Sequence, residues 1–109
     1  MDAGSPDPSA TNVTSIKNLP LNFALYQNYP NPFNPETVIG YRLSVMSRVR
    51  LSVFDLLGRE VALLVDKEQE PGNYNSQFSI RHFQLPSGVY FYQLKAGNFI
   101  QTKKMILLK

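Results

Sequence analysis

The sequence has no cysteine, so it can form no disulfide and offers no thiolate for catalysis or metal binding. It also has no tryptophan and only one histidine, His82. A catalytic triad needs a positioned serine, a histidine and a buried acid. Ser87 lies in a predicted turn and the acids are expected to be exposed, so we predict that the protein is not an enzyme and needs no cofactor.

Acidic residues are few, and we predict that they form no metal site. Asp55, Asp66, Glu68 and Glu70 could supply oxygens to Ca²⁺, but they do not have the spacing of an EF-hand loop. Glycoside hydrolysis needs two carboxyls across a cleft, which a small closed fold does not offer. We therefore expect a solvated charged loop over residues 66–70, no metal site, and an Asp55 that caps its own turn.

Long apolar runs are absent as well, since no stretch reaches the 18 residues that suggest a membrane span. The segment after Met1 is polar and contains prolines, unlike a signal peptide. If the protein is exported, we expect the signal to lie upstream on a larger parent chain, of which these residues are a C-terminal module. The net charge of +3 is scattered and too small to indicate nucleic-acid binding.

The 109 residues, 43% hydrophobic and 12% aromatic, are suited to one folded domain. Residues 1–20 are rich in serine, proline and threonine and have few apolar residues, which predicts a flexible linker before a domain at residues 21–109. Pro30, Pro32 and Pro35 predict a rigid connection that cannot be a strand, with Phe33 as a plug over one end of the core.

Alternation of apolar and polar residues predicts strands at residues 21–27, 37–43, 48–55, 59–65, 73–80, 89–94 and 99–108. Seven short strands without helical periodicity predict an all-β antiparallel sandwich, Ig-like or fibronectin-like. The alternation places Thr37, Ile39, Tyr41, Leu43, Val49, Leu51 and Val53 inward. Ser52 is expected to point outward, together with the aromatic residues Tyr26, Phe54 and Tyr92.

Residues 85–109 form a predicted hairpin that ends the chain. Pro86, Ser87 and Gly88 are a turn signal before its first strand, and residues 96–98 form the turn between its strands. Tyr90 has two interpretations. It is either a tyrosine corner, whose hydroxyl bonds back to upstream backbone, or an ordinary core aromatic.

Three motifs in this order resemble the type A C-terminal sorting domains of the bacterial type IX secretion system. They are Tyr29-Pro30-Asn31-Pro32, then Asp55-x-x-Gly58-Arg59, then the closing residues 85–109 with Gly88-Val89-Tyr90, Lys103-Lys104 and Lys109. The resemblance spans roughly residues 23–109. It implies a sorting signal that directs an N-terminal passenger, such as a secreted hydrolase or adhesin, through this system.

The resemblance also implies the route and the partners. The passenger and its tail would cross the periplasm, and an outer-membrane translocon would recognise the folded domain. A sortase-like peptidase would then cut in the linker before residue 21 and attach the passenger to an anionic lipopolysaccharide. The implied location is the periplasm in transit and then the outer-membrane surface or the extracellular space.

Residue by residue, the resemblance assigns translocon recognition to Gly88, Val89, Tyr90, Lys103, Lys104 and Lys109. It assigns a structural role to Tyr29, Pro30, Asn31, Pro32, Asp55, Gly58 and Arg59. A basic face could comprise Arg48, Arg50, Arg59, Lys95, Lys103, Lys104 and Lys109. Lys103 and Lys104 either protect a sheet edge from aggregation or attract a receptor, which could also add a strand there.

Two other functions remain open from the residues alone. A carbohydrate-binding module would use exposed aromatics such as Tyr26, Phe54 and Tyr92 to stack sugars. An Ig-like spacer of a secreted hydrolase would account for the fold but not for the three ordered motifs.

Overall fold

The computed structural model describes residues 22–109, except for the side chain of His82. The predicted linker, residues 1–20, lies outside the described residues. In the described part a short 3₁₀ helix, Ile80–His82, accompanies seven strands: β1 (Ala24–Leu25), β2 (Glu36–Leu43), β3 (Ser47–Phe54), β4 (Glu60–Gln69), β5 (Gly72–Ser79), β6 (Gly88–Ala96) and β7 (Phe99–Leu107).

The strands form two antiparallel sheets, which confirms the predicted sandwich. One sheet has the order β1-β2-β5, and the other has the order β4-β3-β6-β7. The fourth strand pairs with β3 instead of joining β5, which differs from the constant-type immunoglobulin arrangement. This order places β7 at the edge of the four-stranded sheet.

Inward-facing residues of both sheets form one core, as the alternation predicts. Ile39 and Leu43 from β2 and Val49, Leu51 and Val53 from β3 are completely buried. Burying a side chain of this size contributes roughly 1.5–3 kcal/mol, so these strands supply much of the stability of a domain that has no disulfide.

The predicted first strand, residues 21–27, is too long. β1 comprises only Ala24–Leu25, although the nitrogen of Tyr26 still donates to the Gly40 carbonyl at 2.9 Å. After Tyr26 the pairing with β2 is interrupted, because the nitrogen of Asn28 donates to the Tyr92 hydroxyl of the other sheet at 2.8 Å, and it resumes at the bridge between Tyr29 and Val38.

The predicted charged loop at residues 66–70 is also wrong, since β4 continues to Gln69. Its acids lie opposite basic residues, with Asp66 paired to Arg50 and Glu68 to Arg48 across the ladder. An edge strand tolerates such charges because one side of it is exposed to water.

The prediction that Ser52 points outward is also wrong, since Ser52 is only 3% exposed. It lies next to a register shift between β3 and β4.

β6 is longer than predicted, β7 ends one residue before its predicted boundary, and the two strands are closely matched. β6 and β7 pair from Gly88 opposite Leu107 to Ala96 opposite Phe99. Gly97, with φ of 59°, provides the left-handed residue in the turn between them. Ile80, predicted at the end of a strand, instead begins the 3₁₀ helix that leads toward this hairpin.

Candidate functional site

The proline-rich segment, residues 28–35, covers the second half of the β7 edge. The nitrogen of Phe33 donates to the Ile106 carbonyl at 2.9 Å, and the nitrogen of Leu108 donates to the Phe33 carbonyl at 3.1 Å. The side-chain oxygen of Asn31 accepts from the Ile106 nitrogen at 2.9 Å. Phe33 itself is 2% exposed and packs edge-to-face on Phe78, which confirms the predicted plug.

A buried polar network holds this segment against both sheets. Asn28, 2% exposed, donates through its amide group to Thr37 Oγ1 and the Pro30 carbonyl, and accepts from Gln27. The Thr37 hydroxyl donates to the same Pro30 carbonyl at 2.8 Å. We did not predict this network, because it depends on Thr37 of β2 lying beside Asn28 of the preceding loop, nine residues away in the sequence.

Tyr92 completes the network from the opposite sheet. Its hydroxyl accepts from the Asn28 nitrogen and donates to the Tyr26 carbonyl at 2.7 Å. Burial raises its pKa to about 12, although the hydrogen bond from Asn28 acts in the opposite direction. The prediction that Tyr92 points outward is therefore wrong, since it is completely buried.

This burial weakens the case for a sugar-binding platform. Of the three aromatics predicted to be exposed, Tyr26 is 42% exposed, Phe54 is half-buried and Tyr92 is completely buried. Tyr29, to which we assigned a structural role, is 81% exposed, and the structure uses its backbone in a bridge to Val38.

The Asp55 turn is closed by its own carboxylate, as predicted. Asp55 accepts from the nitrogens of Leu57 and Arg59 at 2.9 and 3.0 Å and from Arg59 Nε at 2.8 Å. The hydrogen bond from the Arg59 backbone is the main cause of a lowered pKa for this carboxyl. Gly58 has φ of 81°, so it provides the positive-φ residue of this turn.

Tyr90 is a tyrosine corner and a core residue at once. Its hydroxyl donates to the Pro86 carbonyl at 2.6 Å, while the residue is only 4% exposed. Burial raises its pKa, and the negative charge of Asp55 adds to that effect. The two interpretations left open by the sequence therefore both hold.

The chain end is bound to the same corner. The backbone nitrogen of Lys109 donates to Ser87 Oγ at 2.9 Å, directly beside the pairing of Gly88 with Leu107. We call the Asp55 turn (residues 55–59), the corner (residues 84–90) and Lys109 together the motif end of the domain.

An open pocket of about 390 Å³ lies at the motif end, between the Asp55 turn and the corner. Asp55, Leu57 and Arg59 line one wall, and Leu85, Val89 and Tyr90 line the other. Leu56 and Leu57 at its rim are 68% and 77% exposed. Two motifs that are separate in the sequence thus form one surface, which joins residues predicted for structure with residues predicted for recognition.

The structure does not bring Lys103 and Lys104 to the motif end. They lie near the middle of β7, opposite Tyr92 and Phe91, with Lys103 half-buried and Lys104 exposed. Of the recognition residues, only Gly88, Val89, Tyr90 and Lys109 lie at the motif end.

The predicted basic face divides into two parts. Its arginines are ion-paired: Arg48 with Asp66 at 2.8 Å, Arg50 with Glu60 at 3.0 Å, and Arg59 with Asp55 at 2.8 Å. Its lysines (Lys95, Lys103, Lys104 and Lys109) form no ion pair with any acid of residues 22–109. Within this predicted face, the positive charge that no acid compensates therefore lies on the β6–β7 side.

The described residues contain neither a metal-binding cluster nor a helix able to cross a membrane. No group of three or more histidine, cysteine or acidic residues among residues 22–109 is arranged to hold a metal ion. In the same range, no helix has the length and apolar character needed to cross a membrane.

Comparison with known proteins agrees with the three motifs. Searches of curated proteins and of solved structures each found no significant match. A family model described as the secretion system C-terminal sorting domain matches residues 27–108, which include all the strands except β1. The chain therefore belongs to the family of C-terminal sorting domains of the type IX secretion system.

Proposed function

We propose that the secretion translocon recognises this domain in its folded state, at the motif end. As a C-terminal sorting signal, the domain directs an N-terminal passenger to the outer-membrane surface or the extracellular space. Its family is a family of sorting signals and not of enzymes. The proposal adds where on the domain the machinery binds.

The pocket between the Asp55 turn and the corner is the observation that carries this proposal. Exposed leucines at a turn tip contribute nothing to the core, and contiguous exposed apolar surface usually marks an interaction site. The backbone that carries Leu56 and Leu57 is held in place, because the carboxylate of Asp55 accepts hydrogen bonds from the nitrogens of Leu57 and Arg59.

The signature residues then have distinct roles. We assign direct contact with the translocon to Gly88, Val89 and Lys109, and electrostatic attraction to Lys103 and Lys104. Tyr90 contributes to recognition indirectly, because it is buried and its hydroxyl fixes the corner through the Pro86 carbonyl. The remaining signature residues shape the surface, with Asp55, Gly58 and Arg59 forming the turn. Tyr29, Pro30, Asn31 and Pro32 belong to the segment that holds the end of β7.

The proposed route is passage through the periplasm, recognition at the outer membrane, and cutting by a sortase-like peptidase in the linker before residue 21. This route requires the C-terminal domain to fold independently of the passenger. The domain has a hydrophobic core of its own, which makes this possible. The specific receptor and peptidase are part of the proposal.

The first experiment removes residues 99–109 from a reporter passenger fused to this domain, in a bacterium with the secretion system. We expect the passenger to remain folded but trapped in the periplasm, as measured by protease accessibility on whole cells and by fractionation. Normal surface display of the truncated fusion would contradict the proposal.

A second variant avoids loss of the fold. Leu56→Ser with Leu57→Ser changes only exposed side chains, so we expect an unchanged urea midpoint and reduced surface display. The matched control is Val45→Ser with Met46→Ser, a second exposed apolar pair in the β2–β3 loop, at 57% and 58% exposure. Equal display of the two double variants would exclude the motif end as the docking surface.

A further inference from the structure

We propose that the first half of the β7 edge, residues 100–104, receives an extended acidic segment of a partner protein as an added strand. This proposal rests on the proposed function, because it describes a second contact that the sorting machinery makes with the same domain. It differs from docking at the motif end because it lies on the β7 edge, uses backbone N–H and carbonyl groups, and requires an acidic partner.

The bonds that cover the second half of β7 show which backbone groups point away from β6. Both the nitrogen and the carbonyl of Ile106 bond outward, to Asn31 and Phe33, and the Lys104 carbonyl accepts from Gln27 at 2.8 Å. In an antiparallel strand every second residue points both groups to the same side. The nitrogens and carbonyls of Ile100 and Thr102 therefore also point outward.

The first half of this edge is uncovered within the described residues. No backbone or side-chain group of residues 22–109 bonds to the outward groups of Ile100 or Thr102. Ile100 is 59% exposed and Thr102 is also exposed. A stretch of this length spans roughly 17 Å, enough for a short added strand. An exposed edge of this kind is a template for strand addition.

The charge around this edge selects an acidic partner. Lys103 and Lys104 lie at the end of the uncovered stretch, and Lys95 lies opposite Ile100 on β6. None of the three pairs with an acid of residues 22–109. Opposite charges on neighbouring strands stabilise a pair by roughly 0.2–1 kcal/mol, and like charges destabilise it.

This charge argument also excludes a second copy of the domain as the occupant. Two β7 edges side by side would bring Lys103 and Lys104 of one copy close to those of the other. Because lysines on an edge often serve only to prevent pairing, the experiment has to separate strand addition from simple protection.

The test uses the isotope-labelled domain and two synthetic peptides of about eight residues, one alternating valine with glutamate and one alternating valine with lysine. With the acidic peptide we expect amide exchange at Ile100 and Thr102 to slow by at least about tenfold, because both amides gain an acceptor. The basic peptide should leave both rates unchanged. No slowing by the acidic peptide, or equal slowing by both peptides, would overturn the proposal.

Two variants test the atoms involved. Thr102→Pro removes an outward backbone N–H at a position where an edge strand tolerates proline. Thr102→Val keeps this N–H. We expect the proline variant to bind the acidic peptide about tenfold more weakly and the valine variant to bind normally. Lys103→Gln with Lys104→Gln should also weaken binding, and Lys67→Gln on the opposite edge strand β4 should not. Full binding by both the proline and the double glutamine variants would overturn the proposal.

The preceding segment of the same chain is the other possible occupant. If exchange at Ile100 and Thr102 is already slow in the peptide-free domain and becomes fast when residues 1–21 are deleted, that segment fills the edge and the proposal is wrong. Fast exchange in both forms supports an edge open to a partner.

Secretion assays separate the two proposals. If the wild-type domain fails to export a reporter passenger, the proposed function fails. If the wild type exports it, and Thr102→Pro and the double glutamine variant export it equally well, only the strand-addition proposal fails. Reduced export by these two variants, with Thr102→Val and Lys67→Gln normal, supports it.

Discussion

The hydroxyl of Tyr92 and the backbone nitrogen of Asn28 lie 2.8 Å apart, across the interior of the sandwich and across 64 residues of sequence. The same hydroxyl donates to the Tyr26 carbonyl at 2.7 Å. One side chain of the four-stranded sheet therefore fixes the chain between β1 and the proline-rich segment. That segment in turn covers the end of β7, so this contact indirectly supports the edge of the four-stranded sheet.

Tyr92→Phe should destabilise the domain by about 2 kcal/mol. The change leaves the Asn28 nitrogen and the Tyr26 carbonyl without their partner in a buried site, and such groups cost roughly 1–3 kcal/mol each when unsatisfied. Urea unfolding followed by circular dichroism measures the change. Tyr29→Phe is the control, because Tyr29 is 81% exposed, and its midpoint should match the wild type. Equal midpoints for Tyr92→Phe and the wild type would refute the network.

Alkaline pH should weaken the domain through the same residue. The pKa of Tyr92 rises from 10.0 to about 12 on folding, so the folded state disfavours its ionised form. The corresponding stabilisation, roughly 2–3 kcal/mol, is complete below pH 10 and is lost as the pH rises toward 12. Urea midpoints measured between pH 8 and about 11.5 should fall above pH 10. The fall should be smaller in Tyr92→Phe, and identical curves would contradict the assignment.

Asn28→Asp should destabilise the domain more than a surface change of the same kind. Aspartate has no amide hydrogens for Thr37 Oγ1 and the Pro30 carbonyl, and it places a negative charge in a site that is 2% exposed. We expect a loss of at least about 2 kcal/mol. Asn73→Asp on the exposed face of β5 is the matched control and should change little. Similar urea midpoints for the two variants would argue against the buried network.

Gly58→Ala should cost about 1 kcal/mol through the backbone alone. Gly58 has φ of 81°, and an added Cβ would meet no atom within 4 Å, so steric contact contributes nothing. Gly58→Asn should cost less, because asparagine tolerates the left-handed region better than alanine. Thermal unfolding of the two variants tests this order, and an alanine variant as stable as the wild type would disprove it.

Acid should loosen the Asp55 turn below the ordinary pKa of an aspartate. Hydrogen bonds from the Arg59 backbone lower the pKa of this carboxyl from 3.8. The stabilisation is therefore present above that value and is lost as the pH falls through the lowered pKa. A carboxyl NMR titration should place the pKa of Asp55 below the ordinary aspartate value of 3.8. In Asp55→Asn, the urea midpoint should depend less on pH below 4.

Strand positions and core residues were largely predictable, because alternation and turn chemistry are local. The positive φ of Gly58 and the burial of Val49, Leu51 and Val53 follow from such local rules. The charged end of β4 was missed, because a strand there is favoured by ion pairs of Asp66 with Arg48 and Arg50 of β3. These pairs form only when the two strands become neighbours. Alternation with Tyr90 and Leu94 would have placed Tyr92 on the inward face, so its burial was predictable, whereas its hydrogen bonds to Asn28 and Tyr26 depend on the other sheet.

By itself, the sequence determined the fold class, the turns and the three motifs that identify the family, since each depends on residues close together in the chain. Only the tertiary structure decided that the Asp55 turn and the Tyr90 corner line one pocket and that the proline-rich segment covers half of the β7 edge. Both results depend on which strands become neighbours. That choice is made by burial and hydrogen bonding between distant segments, which no local pattern contains.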